Sequence, residues 1–378
     1  MDRPLRILIV DDSAMMRRLI RTMIESDSKL TVIGEAADGR EALARTAELR
    51  PDLITLDVRM PVMDGVETTR QIMAYQPTPI LVLTASLTRY DIDITFQMLG
   101  AGALDVMEKP KISNSADLER ARIALVRKIT LLARVKVVTH LRGRRKNNPE
   151  WSTLNIERSH RPASADLSRP QSGSTSDHSA FNLQPSGCPI VVIGASTGGP
   201  RVVRQILAGL PTNYDAAVLV VQHIAQGFSA GMVEWMVLSS ALPISIAEDG
   251  ALIKPGQVIV APDRFDLMVT SDGRVKLCTQ PLLIPRPTID VTMQSVAEIC
   301  GPAATGVLLT GMGRDGAQGM CSIRHAGGFT IAQDEATCTI FGMPKAAIDL
   351  NAVQVVLPPD KIIEALTSHI GAKRGNIG

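Results

Sequence analysis

The run Ile190-Val-Val-Ile-Gly194-Ala-Ser196-Thr-Gly198-Gly199-Pro200 reads as a short buried strand that turns through a glycine-flanked hydroxyl into a helix. Four β-branched residues in a row favour an extended, buried segment. Pro200 and the apolar spacing of Val202, Val203, Ile206, Leu207 and Leu210 predict the helix that follows. Gly194 and Gly198 bracket Ser196 in the pattern G-x-S-x-G, in which small neighbours leave the hydroxyl clear on a tight turn. A helix N-terminus behind it points unpaired N–H groups to where an oxyanion would form.

Downstream of this turn the alternation of strand and helix continues. Candidate strands are Ile190–Ile193, Ala217–Val221, Ile244–Ala247, Gln257–Ala261, Val275–Cys278, Val307–Thr310, Phe329–Ala332 and Ala352–Val356. Candidate helices are Pro200–Leu210, Ala230–Leu238, Thr288–Cys300, Gly316–His325, Pro344–Leu350 and Pro359–His369. Such alternation predicts an α/β domain. Pro262-Asp263 and Ser271-Asp272-Gly273 are turn sequences, so Gln257–Cys278 is expected to form antiparallel hairpin strands at an edge.

A nucleophilic serine needs a base, and the base needs an acid to orient it. His223 follows the apolar strand Val218–Val221 and so stands at a strand's carboxyl end, like Ser196; His325 and His369 lie in helical or terminal segments. Asp315 stands in the glycine-rich stretch after another strand, Leu308-Leu-Thr310-Gly-Met312-Gly-Arg-Asp315-Gly316. Asp290, Asp334 and Asp249 compete for the acid's role, but none follows so clean a strand-to-glycine loop. The order Ser, His, Asp differs from that of α/β-hydrolases, though geometry and not order defines a triad. A phosphate cradle for a dinucleotide is the competing reading of Gly194–Gly199. That reading wants an acidic residue at the end of the next strand, where Gln222-His223 stands.

The N-terminal part alternates in the same way, with apolar runs Ile7–Val10, Leu53–Leu56, Ile80–Leu83 and Ala103–Met107 between amphipathic stretches Met15–Ile24, Glu41–Leu49 and Val66–Met73. This predicts a doubly wound parallel sheet whose crevice lies beyond the strands' carboxyl ends. Asp11, Asp12, Asp57, Thr84 and Lys109 all fall there. Three converging carboxylates call for a hard cation such as Mg2+. Asp57 is then the phosphoryl acceptor, with Lys109 and Thr84 contacting the phosphoryl oxygens.

The chain has 378 residues, 45% of them hydrophobic and 21% charged, with a net charge of +2, which suits soluble domains and argues for neither nucleic acid nor an anionic membrane. Five scattered cysteines without a C-x-x-C pair predict neither a disulfide framework nor a zinc site. No secretion signal or membrane span is read, so the expected location is the cytoplasm. The basic run Arg142–Lys146 and the Ser, Pro, Asp and Arg-rich stretch to about Gly187 predict a mobile tether in which Trp151 is an isolated aromatic. The expected division is 1–140, a linker 141–187, and 188–372.

Asp11-Asp12, Asp57, Met60-Pro61-Val62-Met63-Asp64-Gly65, Thr84-Ala85 and Lys109-Pro110 resemble the receiver domain of two-component response regulators, of flavodoxin-like fold. The resemblance implies phosphorylation of Asp57 by a histidine kinase, with Asp11, Asp12 and Asp57 binding Mg2+. Val106 occupies the position of that family's aromatic switch residue. Gly194–Pro200, Gln222-His223 with Gly227-Phe228, Arg286–Val291, Leu309–Gly316 and Ile331–Glu335 resemble the CheB family. Its members are chemotaxis protein-glutamate methylesterases and glutamine deamidases. The resemblance implies Ser196 as nucleophile, His223 as general base and acid, Asp315 as orienting carboxylate, methyl-accepting chemoreceptors as substrates, and no cofactor for the esterase. The backbone amides of Thr197 and Met312 are the oxyanion candidates. Where the family often carries A-P-G-D-x-H, this chain reads Ala261-Pro-Asp-Arg-Phe265.

Overall fold

The structure is a computed structural model that describes residues 3–85, 88–110, 115–137, 189–279 and 287–375. The basic run, Trp151 and Arg286 lie outside these residues.

Two parallel sheets organise the chain. The first contains β1 (Leu5–Val10), β2 (Leu30–Ala36), β3 (Leu53–Asp57), β4 (Ile80–Thr84) and β5 (Asp105–Glu108), in the order β2-β1-β3-β4-β5. Helices α1 (Ala14–Ile24), α2 (Gly39–Leu49), α3 (Gly65–Tyr75), α4 (Arg89–Ala101) and α5 (Ser115–Leu132) alternate with them. β3 and β4 are buried along their whole length, as unbroken apolar runs in a parallel sheet require. The quoted apolar runs leave out β2, an edge strand in which Thr31, Gly34 and Glu35 interrupt the pattern. The order reverses between β1 and β3, which puts Asp11 and Asp57 side by side at the switch point.

The second sheet has seven strands. They are β6 (Ile190–Ala195), β7 (Ala217–Gln222), β8 (Ile244–Ile246), β9 (Val258–Val260), and, beyond a hairpin of β10 (Asp266–Val269) and β11 (Val275–Cys278), β12 (Ala304–Leu308), β13 (Phe329–Gln333) and β14 (Val355–Leu357). The sheet order is β14-β13-β12-β6-β7-β9-β8. The helices are α6 (Gly199–Gly209), α7 (Ser229–Val237), α8 (Ile289–Cys300), α9 (Ala317–His325), α10 (Met343–Asp349) and α11 (Pro359–Gly375). The expected hairpin is shorter than its sequence suggests. Val258–Val260 pairs in parallel with both β7 and β8, and only β10 and β11 are antiparallel, as a separate two-stranded sheet. The hairpin is held to α8, where Thr292 Oγ1 donates to the Leu267 carbonyl at 2.7 Å.

β6 and β7 are buried throughout. The chain winds from β6 outward through β7, then returns to lay β12 on the other flank of β6, so the switch point of this sheet lies between β6 and β12. Gly198 caps α6 at φ 77°, and a Cβ there would lie 2.2 Å from Thr339 Oγ1, so only glycine fits the turn.

The two halves share one apolar core. Phe96 of α4 is fully buried, stacks on Trp235 of α7 with centroids 5.5 Å apart, and meets Phe228 edge-on at 6.4 Å. Burial of such a ring stabilises by about 1.5–3 kcal/mol. Gly231 lets the helices approach: a Cβ there would lie 2.0 Å from Ile92 Cγ2. Arg89 and Glu234 close the rim in an exposed ion pair at 2.9 Å.

Candidate active site

Ser196 lies one residue past β6, His223 one residue past β7, and Asp315 in the loop that leads from β12 to α9. The ladder places these ends together, since Ala195 pairs with Gln222 and Gly194 with Leu308. His223 Nε2 and Asp315 Oδ2 are 2.8 Å apart, and the two side chains are 10% and 14% exposed. Asp315 also accepts from the backbone N–H groups of Ile289 at 2.8 Å and of Asp290 and Gly316, each at 3.0 Å. Burial disfavours its charge, but the His223 bond and these donors outweigh that and hold its pKa below the usual carboxylate range. An ionised Asp315 puts the ring proton on Nε2, which leaves Nδ1 as the nitrogen available to the serine hydroxyl. Ser196 and His223 line the same cavity of about 1190 Å³.

Asp249 and Asp334 are engaged elsewhere, and Asp290 lies in the cavity beside Asp315 with its carboxylate turned to α9. Asp249 accepts from Leu277 N at 2.8 Å, Asp334 from Thr337 N at 3.2 Å, and Asp290 from Gly319 N at 2.6 Å. Burial, with the neighbouring Asp315 charge adding to it, raises the Asp290 pKa. The N–H groups of Thr197 and Met312 find no acceptor among the described residues, and both residues line the cavity. Thr310, fully buried, ties the surrounding turns together. Its carbonyl accepts from Ser196 N at 3.0 Å, its Oγ1 donates to the Thr197 carbonyl at 2.9 Å, and its N–H donates to Gln333 Oε1 at 2.9 Å.

At the other switch point, Lys109 Nζ lies 2.7 Å from Asp11 Oδ2 and 2.8 Å from Asp57 Oδ2, and all three side chains are buried. Asp12 is exposed beside them, and ligand oxygens of Asp11, Asp12 and Asp57 lie within 4.8 Å of one another. Burial, with the Asp11 charge adding to it and Lys109 opposing, pushes the Asp57 carboxyl up to about 6. Burial also works against the Lys109 ammonium, yet its bonds to Asp11 and Asp57 prevail and raise its pKa. Thr84, also buried, ends β4, and its carbonyl accepts from Lys109 N at 2.8 Å.

A CheB methylesterase model matches residues 191–366, and a response regulator receiver domain model matches residues 7–120. The protein-glutamate methylesterase/protein-glutamine glutaminase of Symbiobacterium thermophilum is 39% identical over 376 residues, 98% of each chain. The chain belongs to the CheB family. A relative of the same name from Anaeromyxobacter dehalogenans is 41% identical over 366 residues, 97% of each chain. The catalytic domain of Thermotoga maritima CheB methylesterase, solved as a crystal structure, is 40% identical, covers 48% of this chain and 98% of its own, and has a TM-score of 0.47. This CheB-family chain is thus an ester hydrolase with a receiver domain.

In this CheB-family chain the receiver stands over the esterase crevice. Asp105–Pro110 from β5 and its following turn, and Asp117, Ala121, Arg127 and Leu131 of α5, form one wall of the cavity that Ser196 and His223 line on the other. Val106, at the switch position, is buried, and its carbonyl accepts from Lys128 Nζ at 3.2 Å. The loop Ala261–Phe265 also finds a place: Asp263 accepts from Gly227 N just ahead of α7. Sequence reasoning assigned no role to Gln222, Thr310 or Gln333. A buried amide or hydroxyl at a strand end looks in sequence like any polar residue at a loop, so only their shared position beside the glycine turns signals them. Among the described residues no helix is long and apolar enough to cross a membrane.

Proposed function

We propose that the chain hydrolyses glutamyl γ-methyl esters on methyl-accepting chemoreceptors in the cytoplasm, releasing methanol, and deamidates glutamines there, under control of phosphorylation at Asp57. The observation that carries this reading is the convergence of Ser196, His223 and Asp315 in a crevice walled by the receiver. Residues 1–140 are the receiver, 141–187 the tether and 188–372 the catalytic domain.

Ser196 Oγ attacks the side-chain carbonyl carbon while His223 Nδ1 takes its proton. The N–H groups of Thr197 and Met312 receive the oxyanion. The imidazolium returns the proton to the leaving methoxide, or to the leaving amide nitrogen in deamidation. Water, activated by the same nitrogen, then cleaves the acyl-enzyme. Asp315 holds the tautomer and matches the charge of the imidazolium.

The unphosphorylated receiver denies this crevice to a receptor helix. A chemotaxis histidine kinase supplies the phosphoryl group to Asp57. Asp11, Asp12 and Asp57 fit Mg2+, being three hard oxygen donors within 4.8 Å, and the ion would neutralise charge on the transferring group when bound. Lys109 and Thr84 contact the phosphoryl oxygens. Arg59, two residues beyond Asp57, is ion-paired with buried Asp91 in the first turn of α4, the helix that carries Phe96 into the catalytic half. Movement of the acceptor loop therefore has a direct hold on the interface.

Gly231→Leu tests the cover without touching the crevice. Its side chain has to displace Ile92 and Phe96, an overpacking that costs about 1–3 kcal/mol. Methanol release from methyl-labelled receptor membranes without phosphodonor is expected to rise roughly tenfold over wild type. Equal release from the two proteins contradicts the proposed cover. No release from either, with phosphodonor present, contradicts the substrate.

A further inference from the structure

We infer that Gln222 is a positioning residue of the esterase, an amide clamp that holds the Ser196 turn against the His223 turn. The inference rests on the Ser196–His223–Asp315 reading above. Gln222 ends β7 and is 2% exposed. Its Nε2 donates to the carbonyl of Ser196 at 2.8 Å and to that of His223 at 2.9 Å. One NH2 group thus uses both of its protons on the backbone of the nucleophile and of the base.

Nothing else among the described hydrogen bonds joins these two residues directly. Ser196 N is turned to the other flank, toward the Thr310 carbonyl, and His223 N donates to Ala195 O at 2.9 Å, which only prolongs the ladder. Both residues lie just past their strands, where one backbone N–H bond each is what remains of the sheet pairing. The amide packs against the start of α6, where a Cβ on Gly199 would lie 2.3 Å from Gln222 Oε1. Glycine at the start of α6 therefore makes room for the clamp, a second reason for the Gly198-Gly199 pair.

The chemistry needs an amide here. A carboxylate would face two carbonyl oxygens and be repelled, so a glutamate would stay protonated and donate only one bond. A methionine keeps the length and donates none, which leaves two part-buried carbonyls without this partner, that of Ser196 keeping only the Gly199 N–H. Proton transfer from Ser196 to His223 depends steeply on their spacing, and a displacement of about 1 Å costs about 100-fold in rate.

The test uses the full chain, phosphorylated with a small phosphodonor and Mg2+, as wild type, Gln222→Met and Gln222→Glu. Three quantities are followed: kcat and KM for ester hydrolysis, the rate at which a small sulfonyl fluoride labels Ser196, and Tm. For Gln222→Met, kcat is expected to fall about 10- to 100-fold with KM within about twofold of wild type. Labelling of Ser196 is expected to fall in parallel, because that reagent needs the serine–histidine pair but no receptor contacts. Gln222→Glu, with one bond restored, is expected to lie between Met and wild type. Unchanged kcat and labelling in Gln222→Met would overturn the inference, as would a fall in kcat with unchanged labelling. If Gln222→Met shows no cooperative melting, Gln222→Glu decides: labelling as fast as wild type overturns the clamp. Failure of wild type itself to be labelled at Ser196 would instead contradict the nucleophile reading.

Discussion

Ser196→Ala is expected to lower methanol release by a factor on the order of 10⁴–10⁶, with the fold and Asp57 phosphorylation intact. The expectation follows from where the hydroxyl sits. Ser196 is partly exposed in the crevice, while its backbone is bound on both sides, by Thr310 O and by Gln222 Nε2. Removing Oγ therefore deletes the attacking atom and leaves the turn in place. Residual rate is expected from the oxyanion donors and from binding alone. Mass spectrometry of labelled protein gives a second check, since a serine-directed reagent should find no site in the variant's crevice. Full activity in Ser196→Ala removes the nucleophile assignment.

Asp315→Asn is the second large effect, about 10⁴-fold in kcat. Both carboxylate oxygens of Asp315 are occupied by donors: Oδ2 by His223 Nε2 and Ile289 N, Oδ1 by Asp290 N and Gly316 N. An asparagine has to turn its NH2 toward one of these pairs. Facing His223 it imposes the wrong tautomer, and facing Asp290 and Gly316 it sets donor against donor. The ionised acid also bears on stability. Its folded pKa lies below the unfolded value, so the contribution is present above the ordinary carboxylate range and is lost as pH falls through the depressed value. Asp315→Asn should remove that dependence, read as a flatter Tm against pH in the acid range together with the loss of kcat. A kcat within about tenfold of wild type would contradict the orienting role.

Much of this arrangement is legible in sequence because it rests on strand ends. An unbroken apolar run such as Ile190–Ile193 or Leu53–Leu56 announces a parallel strand, and the residue after it stands at the crevice rim. Asp57 is found by that rule alone, whereas Ser196 also needs the G-x-S-x-G turn and His223 the serine's need of a base at a neighbouring strand end. Asp315 is harder, since six residues separate it from the end of β12, and its glycine-rich loop is the only signal. Periodicity fails for β2, whose edge position tolerates Glu35, and for Val258–Val260, whose turn-rich neighbours suggested a hairpin although the segment sits between β7 and β8. The contact between halves is the least legible part. Phe96, Trp235 and Gly231 look like ordinary helix-core residues, and nothing in their spacing tells an internal core from a face that meets another domain.

Control of a serine esterase by the state of Asp57 is tested by methanol release from methyl-labelled receptor membranes, with and without a small phosphodonor plus Mg2+, for wild type and Asp57→Ala. Release is expected to rise with phosphodonor in wild type and to stay flat in Asp57→Ala. Release that ignores phosphodonor in wild type, or that rises equally in Asp57→Ala, would contradict this control.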